Sequence, residues 1–170
     1  MKPEALRQHL ISDRTRLFCV LDGASVPELP RKLYDMGPAN FCLFGDDLDA
    51  EMLYVAPFLV HLAPDSKFTD LVLTQGFGNH WGVFLHSRYS ITEMRGHFSA
   101  LLNVYDEDGQ PMKFRYYDPR VLTRFLPTCN AGELKTFFGK VDTFFAENDG
   151  GKGLLSFRLD NDNLKTTELE

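Results

Sequence analysis

The chain is poor in cysteine, with three among 170 residues. Cys19, Cys42 and Cys129 stand singly in apolar surroundings, in an odd number and without a Cys-x-x-Cys pair. This pattern argues against a disulfide framework and against a structural zinc site. We interpret the three residues as buried thiols of a protein in a reducing compartment.

Long apolar runs and an excess of basic residues are also missing. No segment approaches 18 consecutive apolar residues and no apolar stretch follows Lys2, so the sequence predicts neither a membrane span nor a signal peptide. Lys and Arg total 18 against 24 Asp and Glu, a formal net charge of -6. This charge argues against nucleic acid or an anionic membrane as the main partner. We therefore expect a cytoplasmic protein without stable membrane insertion.

What the chain does contain is enough apolar material for a core. Hydrophobic residues make up 44% of it, with 15 phenylalanines and one tryptophan. A chain of this length fits one domain, and folding would bury about 70% of its unfolded surface. We expect a single domain over residues 1–160, with possible sublobes at about 1–103 and 104–160. The polar residues 161–170 are expected to form a flexible tail.

Helical and strand patterns alternate along the chain and predict an α/β fold. The predicted fold is a mixed sheet with alternating helices and a C-terminal α+β sublobe that contains hairpins. Ser90 and Glu93 have capping-box spacing and open the clearest helix, which runs to Leu102. Predicted strands cover residues 17–21, 41–44, 58–62 and 83–86, and predicted hairpins pair 104–105 with 112–117 and 141–146 with 154–159.

A strand-to-helix corner at residues 113–120 is the most informative segment. The alternation of residues 112–117 predicts an extended strand, in which Lys113, Arg115 and Tyr117 share one face. Asp118 is the natural N-cap of the helix that follows, because Pro119 suits a first helical position. The corner is therefore expected to be rigid.

Two interpretations remain for the groups that capping does not explain. Arg115, Tyr117 and Arg120 are charged or amphipathic side chains on the corner, suited to contact with a partner protein. Alternatively, the two arginines balance Asp118 and neighbouring acidic residues. The sequence does not decide between these interpretations.

Three other features of the sequence contain residue types that could carry chemistry. The glycine-rich stretch 76–82 follows a helix and precedes a strand, the reverse of a dinucleotide-binding loop, so a connector anchored by Trp81 is expected there. The acidic stretch 106–118 lacks the ligand spacing of a calcium loop. Asp22 ends the first strand, where open α/β sheets often place ligand groups, although an Asp-Gly turn explains it equally well. The sequence thus indicates no catalytic residue, no metal ligand and no cofactor.

A thiol-hydrolase arrangement would need a cysteine and a histidine brought together from distant positions. His80 or His86 could join Cys19 or Cys42 in this way. These cysteines lie in apolar, strand-like runs rather than in the electropositive turns that lower a thiol pKa. A hydrolase of unrecognised type therefore stays the least favoured alternative.

Several short motifs follow one another along residues 17–146. They are Leu-Asp-Gly-Ala at 21–24, Leu-Phe-Gly at 43–45, Ala-Pro-Phe-Leu-Val at 56–60, Trp-Gly-Val-Phe at 81–84 and the capped helix to Leu102. The most specific motif is Phe-Arg-x-Tyr-Asp-Pro-Arg at the corner, where Tyr116 precedes Tyr117. In this order the motifs resemble one known family, the type VI secretion adaptor chaperones, or Tap and Tec proteins.

This resemblance implies a bacterial cytoplasmic adaptor without enzymatic activity. Such a protein binds the N-terminal region of a toxic effector and promotes its loading onto the VgrG spike. Many relatives carry an additional C-terminal region. The family signature falls on Arg115, Tyr117, Asp118, Pro119 and Arg120, to which we add Trp81 and Tyr116 on physical grounds as expected partner-binding residues. An immunity-type protein that binds a toxin's active domain is the main alternative function.

Overall fold

A computed structural model describes residues 1–105 and 107–169. It confirms the α/β class and the C-terminal hairpin. The described helices are α1 (Pro3–Leu10), α2 (Leu29–Met36), α3 (Ala50–Val55), α4 (Lys67–Leu71), α5 (Ile91–Leu101), α6 (Pro119–Phe125) and α7 (Ala131–Phe138), with a π-helical turn at Val72–Gly76 and a 3₁₀ turn at Leu126–Thr128. The described strands are β1 (Arg16–Asp22), β2 (Asn40–Cys42), β3 (Pro57–His61), β4 (Gly82–Ser87), β5 (Asn103–Tyr105), β6 (Pro111–Lys113), β7 (Thr143–Glu147), β8 (Leu154–Asp160) and β9 (Asn163–Leu169).

Seven strands form one sheet in the order β2-β3-β1-β4-β7-β8-β9. Each neighbouring pair is antiparallel in the described part of the chain, so the sheet that was expected to be mixed contains no parallel pair there. β5 and β6 form a separate two-stranded hairpin. The interior strand β1 lies between β3 and β4, and its burial explains the apolar run at residues 17–21.

The sheet is covered on both faces, because alternate residues of its strands point to opposite sides. Phe18 and Val20 of β1 belong to a core completed by α5, α6 and α7. Leu17, Cys19 and Leu21 belong to the opposite core, which α1, α2 and α4 complete. The first core contains residues from both proposed sublobes, and β7–β9 extend the sheet that β1–β4 begin.

Local signals predicted the helix starts well. Ser90 and Glu93 form the expected capping box of α5, and Asn130 and Glu133 form the equivalent one at α7. Asp118 caps α6, with Pro119 in its first turn. In each case the capping contact lies within three residues, so a sequence window is sufficient to identify it.

Two expectations about extended segments differ from the structure. The strand expected at 112–117 ends at Lys113, after which the chain turns and the Asp118 N–H donates to the Arg115 carbonyl at 3.1 Å. Residues 163–169, expected within a flexible tail, form β9 and pair with β8. Leu164 of β9 packs against the first core and Leu169 against the opposite core. These two apolar contacts favour the strand, although the other residues of the segment are polar.

No helix among the described residues is long and apolar enough to cross a membrane. Asp106, which stands between β5 and β6 in the sequence, lies outside the described residues.

Candidate functional site

The corner is organised by Asp118, which is 6% exposed. Its Oδ1 accepts hydrogen bonds from the backbone N–H of Arg120 at 2.9 Å and from Nε of Arg120 at 3.0 Å. Its Oδ2 accepts from Nη2 of Arg120 at 2.7 Å. Burial opposes ionisation, but the hydrogen bonds from Arg120 and the charges of Arg120 and Arg115 outweigh it and lower the pKa of Asp118.

Arg115 pairs with Asp22 across 93 residues of sequence. Its Nη2 donates to Oδ2 of Asp22 at 2.6 Å. The Asp22 carboxylate is 1% exposed and also accepts from the Ala24 N–H and the Ser25 hydroxyl, at 3.0 and 2.9 Å. Both arginines of the corner therefore form ion pairs with acidic residues, as the second interpretation of the sequence proposed, while each keeps about half of its side chain exposed.

The aromatic residues expected to bind a partner lie in the interior. Tyr116 is fully buried, and its hydroxyl donates to the Phe98 carbonyl at 3.0 Å. Tyr117 is 3% exposed and Trp81 is 8% exposed. The faces expected from an extended strand are lost because the chain turns after Lys113, and Tyr116 and Tyr117 both point inward. Of the expected partner-binding set, Arg115 and Arg120 are the side chains that a partner can reach in this conformation.

Glu147 is a buried charged residue that the sequence did not single out. It ends β7, is 5% exposed, and accepts backbone N–H donors from Gly78 and His80 at 2.9 Å each. Nδ1 of His80 lies 3.4 Å from its Oε2. Burial raises the pKa of Glu147, although His80 and the two N–H donors act in the opposite direction. Its partners are 67 and 69 residues away in sequence, so no local pattern identifies them.

These contacts meet at one end of the sheet. Asp22 ends β1 beside the start of β4, where its N–H donates to the Trp81 carbonyl at 2.8 Å, and Glu147 fixes the loop that leads into β4. We call the set of Asp22, His80, Arg115, Asp118, Arg120 and Glu147 the polar corner. Its internal pairing indicates a structural joint between the sheet and α6.

An apolar groove opens beside this joint, between α5, β5 and α7. It encloses about 760 Å³, within the range of roughly 300–1,000 Å³ usual for ligand pockets. The groove is lined by His97, Ala100, Leu101, Asn103, Val104, Phe114, Phe125, Asn130, Gly132, Glu133, Thr136 and Phe137. We call these twelve residues the apolar groove.

The corner builds one wall of the apolar groove. Phe114 precedes the turn and Phe125 ends α6, and their ring centroids are 4.6 Å apart. The Phe125 ring also lies 5.5 Å from Phe137 of α7, and Tyr116 supports both Phe114 and Phe137 from the core. The sequence pointed to the segment that shapes the groove, but not to the groove.

The candidate thiol-hydrolase residues are not joined by any hydrogen bond in the described part of the chain. His80 faces Glu147, and Nε2 of His86 lies 2.6 Å from the Leu10 carbonyl. Cys19 is fully buried, and burial raises the pKa of its thiol, which opposes formation of the thiolate nucleophile. The described residues also contain no cluster of three or more His, Cys, Asp or Glu side chains that could hold a metal ion.

One protein-family model matches residues 17–136, well over half of the chain. The chain belongs to the DUF4123 family. This family is described as a domain of unknown function. No curated protein and no solved structure shows a significant match.

The DUF4123 match covers some of the features described above and leaves out others. It includes the corner segment 113–120, Asp22, and all residues of the apolar groove except Phe137. It leaves out β7, β8 and β9, and with them Glu147. The groove is therefore almost entirely a property of the DUF4123 region.

Proposed function

We propose that this protein is a cytoplasmic adaptor chaperone of type VI secretion. In this role it binds the N-terminal region of an effector and promotes loading of that effector onto the VgrG spike. The resemblance to Tap and Tec adaptors over residues 17–146 supports the proposal, and the DUF4123 match covers most of the same interval. The role needs no catalytic residue.

The single structural observation that carries the proposal is the apolar groove beside the signature corner. Effector segments that dock on a spike or enter a membrane expose apolar surface before delivery, and a groove of this kind can cover that surface. Phe114 of the signature segment packs against Phe125, the last residue of the helix that Asp118 caps, and both rings form part of the wall, so the signature segment would contribute to binding through the shape of the groove.

Release requires no nucleotide in this scheme. The effector and VgrG together offer an interface that competes with the groove, so the adaptor leaves as its contacts are replaced. Transfer is then driven by the greater stability of the effector–VgrG complex.

Co-expression tests the proposal. The chain is produced with the N-terminal half of a candidate type VI effector toxin, and the mixture is separated by size exclusion. We expect one complex that persists from low to high salt, because an apolar contact is not screened by ions. Two separate peaks under all salt conditions would contradict the adaptor function.

The same material distinguishes the immunity-type alternative. An immunity protein blocks the active domain of a toxin, so it would bind the C-terminal half and leave the N-terminal half unbound. A pull-down with each half therefore separates the two functions.

A further inference from the structure

The polar side chains of the apolar groove already have partners within the chain. Nε2 of His97 lies 2.9 Å from the Phe137 carbonyl, and Asn103 accepts from Lys113 at 2.8 Å. Thr136 donates to the Gly132 carbonyl at 3.0 Å. Asn130 and Glu133 bond to each other's backbone N–H groups in the capping box of α7. The groove therefore offers few polar groups to an incoming backbone.

Because few polar groups are available, the groove favours one backbone conformation for a peptide segment that binds in it. An extended segment in the groove would bury backbone N–H and C=O groups that find few partners, and each unpaired group costs about 1–3 kcal/mol. A strand added to β5 would gain little, because β5 has three residues. A helix satisfies its backbone internally and presents apolar side chains at i, i+3, i+4 and i+7.

The charge of the groove favours a basic residue at one end of that helix. Glu133 is exposed and carries the one carboxylate among the lining residues. His97 supplies no compensating charge at neutral pH, because burial lowers the pKa of its ring. Lys113 is outside the lining set, but its ammonium group bonds to the Asn103 amide oxygen at 2.8 Å, so this cation lies on the β5 side of the groove, whereas Glu133 lies on the α7 side.

We propose that the apolar groove holds an amphipathic helix from the effector's N-terminal region, with apolar side chains against Leu101, Phe114 and Phe125 and a lysine or arginine facing Glu133. The identity of the occupant rests on the adaptor function proposed above. The conformation, apolar spacing and basic end of the occupant follow from the groove itself.

Fluorescence anisotropy with labelled synthetic peptides tests the chemistry of the occupant. The probe is an alanine-based peptide of about 16 residues, long enough to form a helix, with leucines at i, i+3, i+4 and i+7 and lysines at one end. Matched peptides carry the same leucines in scrambled order, a central proline, or glutamates in place of the lysines. We expect the full-length protein to bind the first peptide most tightly. Equal binding of the scrambled or proline peptide would contradict a helical conformation of the bound segment. Equal binding of the glutamate peptide would contradict the preference for a basic end.

A groove variant locates the binding site. Ala100 is an exposed residue of α5 that lines the groove, so Ala100→Arg places a charge there without disturbing the core. Ala50 is an exposed helical alanine of α3 outside the lining set, and Ala50→Arg is the matched control. We expect Ala100→Arg to weaken peptide binding at least about tenfold, since a charge in an apolar site is costly. Unchanged binding by a folded Ala100→Arg protein would show that the apolar groove is not the peptide-binding site.

A second pair of variants tests the charge while the helix caps are kept. Glutamine replaces glutamate in a capping box, so Glu133→Gln removes the charge and preserves the start of α7. Glu93→Gln makes the same change in the capping box of α5, outside the lining set. We expect Glu133→Gln alone to reduce affinity for the lysine peptide, by roughly two- to fivefold for an exposed ion pair. An equal effect of both variants would assign the loss to general electrostatics and overturn the role of Glu133.

Capture of the effector separates this inference from the adaptor function. If wild-type and Ala100→Arg proteins capture the N-terminal half equally well, the adaptor function stands and the groove is not its binding site. If neither effector half is captured while the helical peptide binds the groove, the effector is not the occupant and the adaptor function fails.

Discussion

Asp118 uses one carboxylate for two purposes. It satisfies the first turn of α6 by accepting the Arg120 N–H, and it pairs with the Arg120 guanidinium. The first contact is local and fixes the start of the helix, whereas the second involves a side chain that is half exposed. Because solvent screens the ion pair, capping contributes the larger part of the stability.

Substitutions of Asp118 should separate these contributions. We expect Asp118→Ala to lower the free energy of unfolding by about 1–2 kcal/mol through loss of the cap. Asp118→Asn should cost clearly less, because asparagine is an equally good N-cap and loses only the charge. Urea unfolding at neutral pH measures both values. Equal destabilisation by the two variants would instead assign the main contribution to the ion pair.

The Asp22–Arg115 pair has one buried and one half-exposed partner, so its two members should respond differently to removal. Asp22→Ala removes the acceptor of three hydrogen bonds and should lower the free energy of unfolding by at least about 2 kcal/mol. Arg115→Ala leaves two of those bonds in place and should cost less. A larger loss for Arg115→Ala in chemical denaturation would show that the buried carboxylate depends on the arginine.

At the scale of elements, the loop 76–82 depends on a contact that no sequence window contains. Gly78 and His80 adopt positive φ angles of 86° and 56°, and the Glu147 carboxylate accepts both of their N–H groups. A non-glycine residue in this region is strained, so the contact with β7 stabilises the conformation of His80. The capping boxes of α5 and α7 were predictable because their partners are three residues apart, whereas Glu147 is far from its own.

The Glu147 carboxyl group should produce a measurable pH dependence. Its pKa is raised above the ordinary value of 4.5, so above that pH the folded state binds more protons than the unfolded state. The stability from this group is therefore present below pH 4.5 and declines as the pH rises through the folded pKa. Urea unfolding from pH 4 to pH 8 should show a flatter profile for Glu147→Gln than for wild type, after subtraction of the shared background. Parallel profiles would contradict the raised pKa.

At the scale of the whole molecule, a sheet of seven antiparallel strands separates two cores, and β9 is the strand at one edge of this sheet. The apolar strands were predictable because their buried residues form short runs. Strand β9 was not predictable in this way, because Leu164 and Leu169 are its two apolar residues and the residues between them are exposed. The apolar groove was also missed, because its residues come from separate elements and are brought together only by the fold.

Truncation after Asp160 tests the contribution of β9. The deletion removes seven residue pairs with β8 and the partly buried Leu164 and Leu169, which together contribute roughly 2 kcal/mol by apolar burial. We expect the melting temperature to fall by at least about 5 °C and the exposed edge of β8 to promote aggregation. A melting temperature equal to that of the full chain would contradict this contribution and would agree with the flexible tail that the sequence alone predicted.

The adaptor function is tested most directly by which half of a toxin the chain retains. The tagged full-length protein is mixed separately with the N-terminal and C-terminal halves of a candidate type VI effector toxin, and the retained material is quantified after a high-salt wash. The proposed function predicts stoichiometric retention of the N-terminal half alone. Retention of the C-terminal half alone, or of neither half, would contradict it.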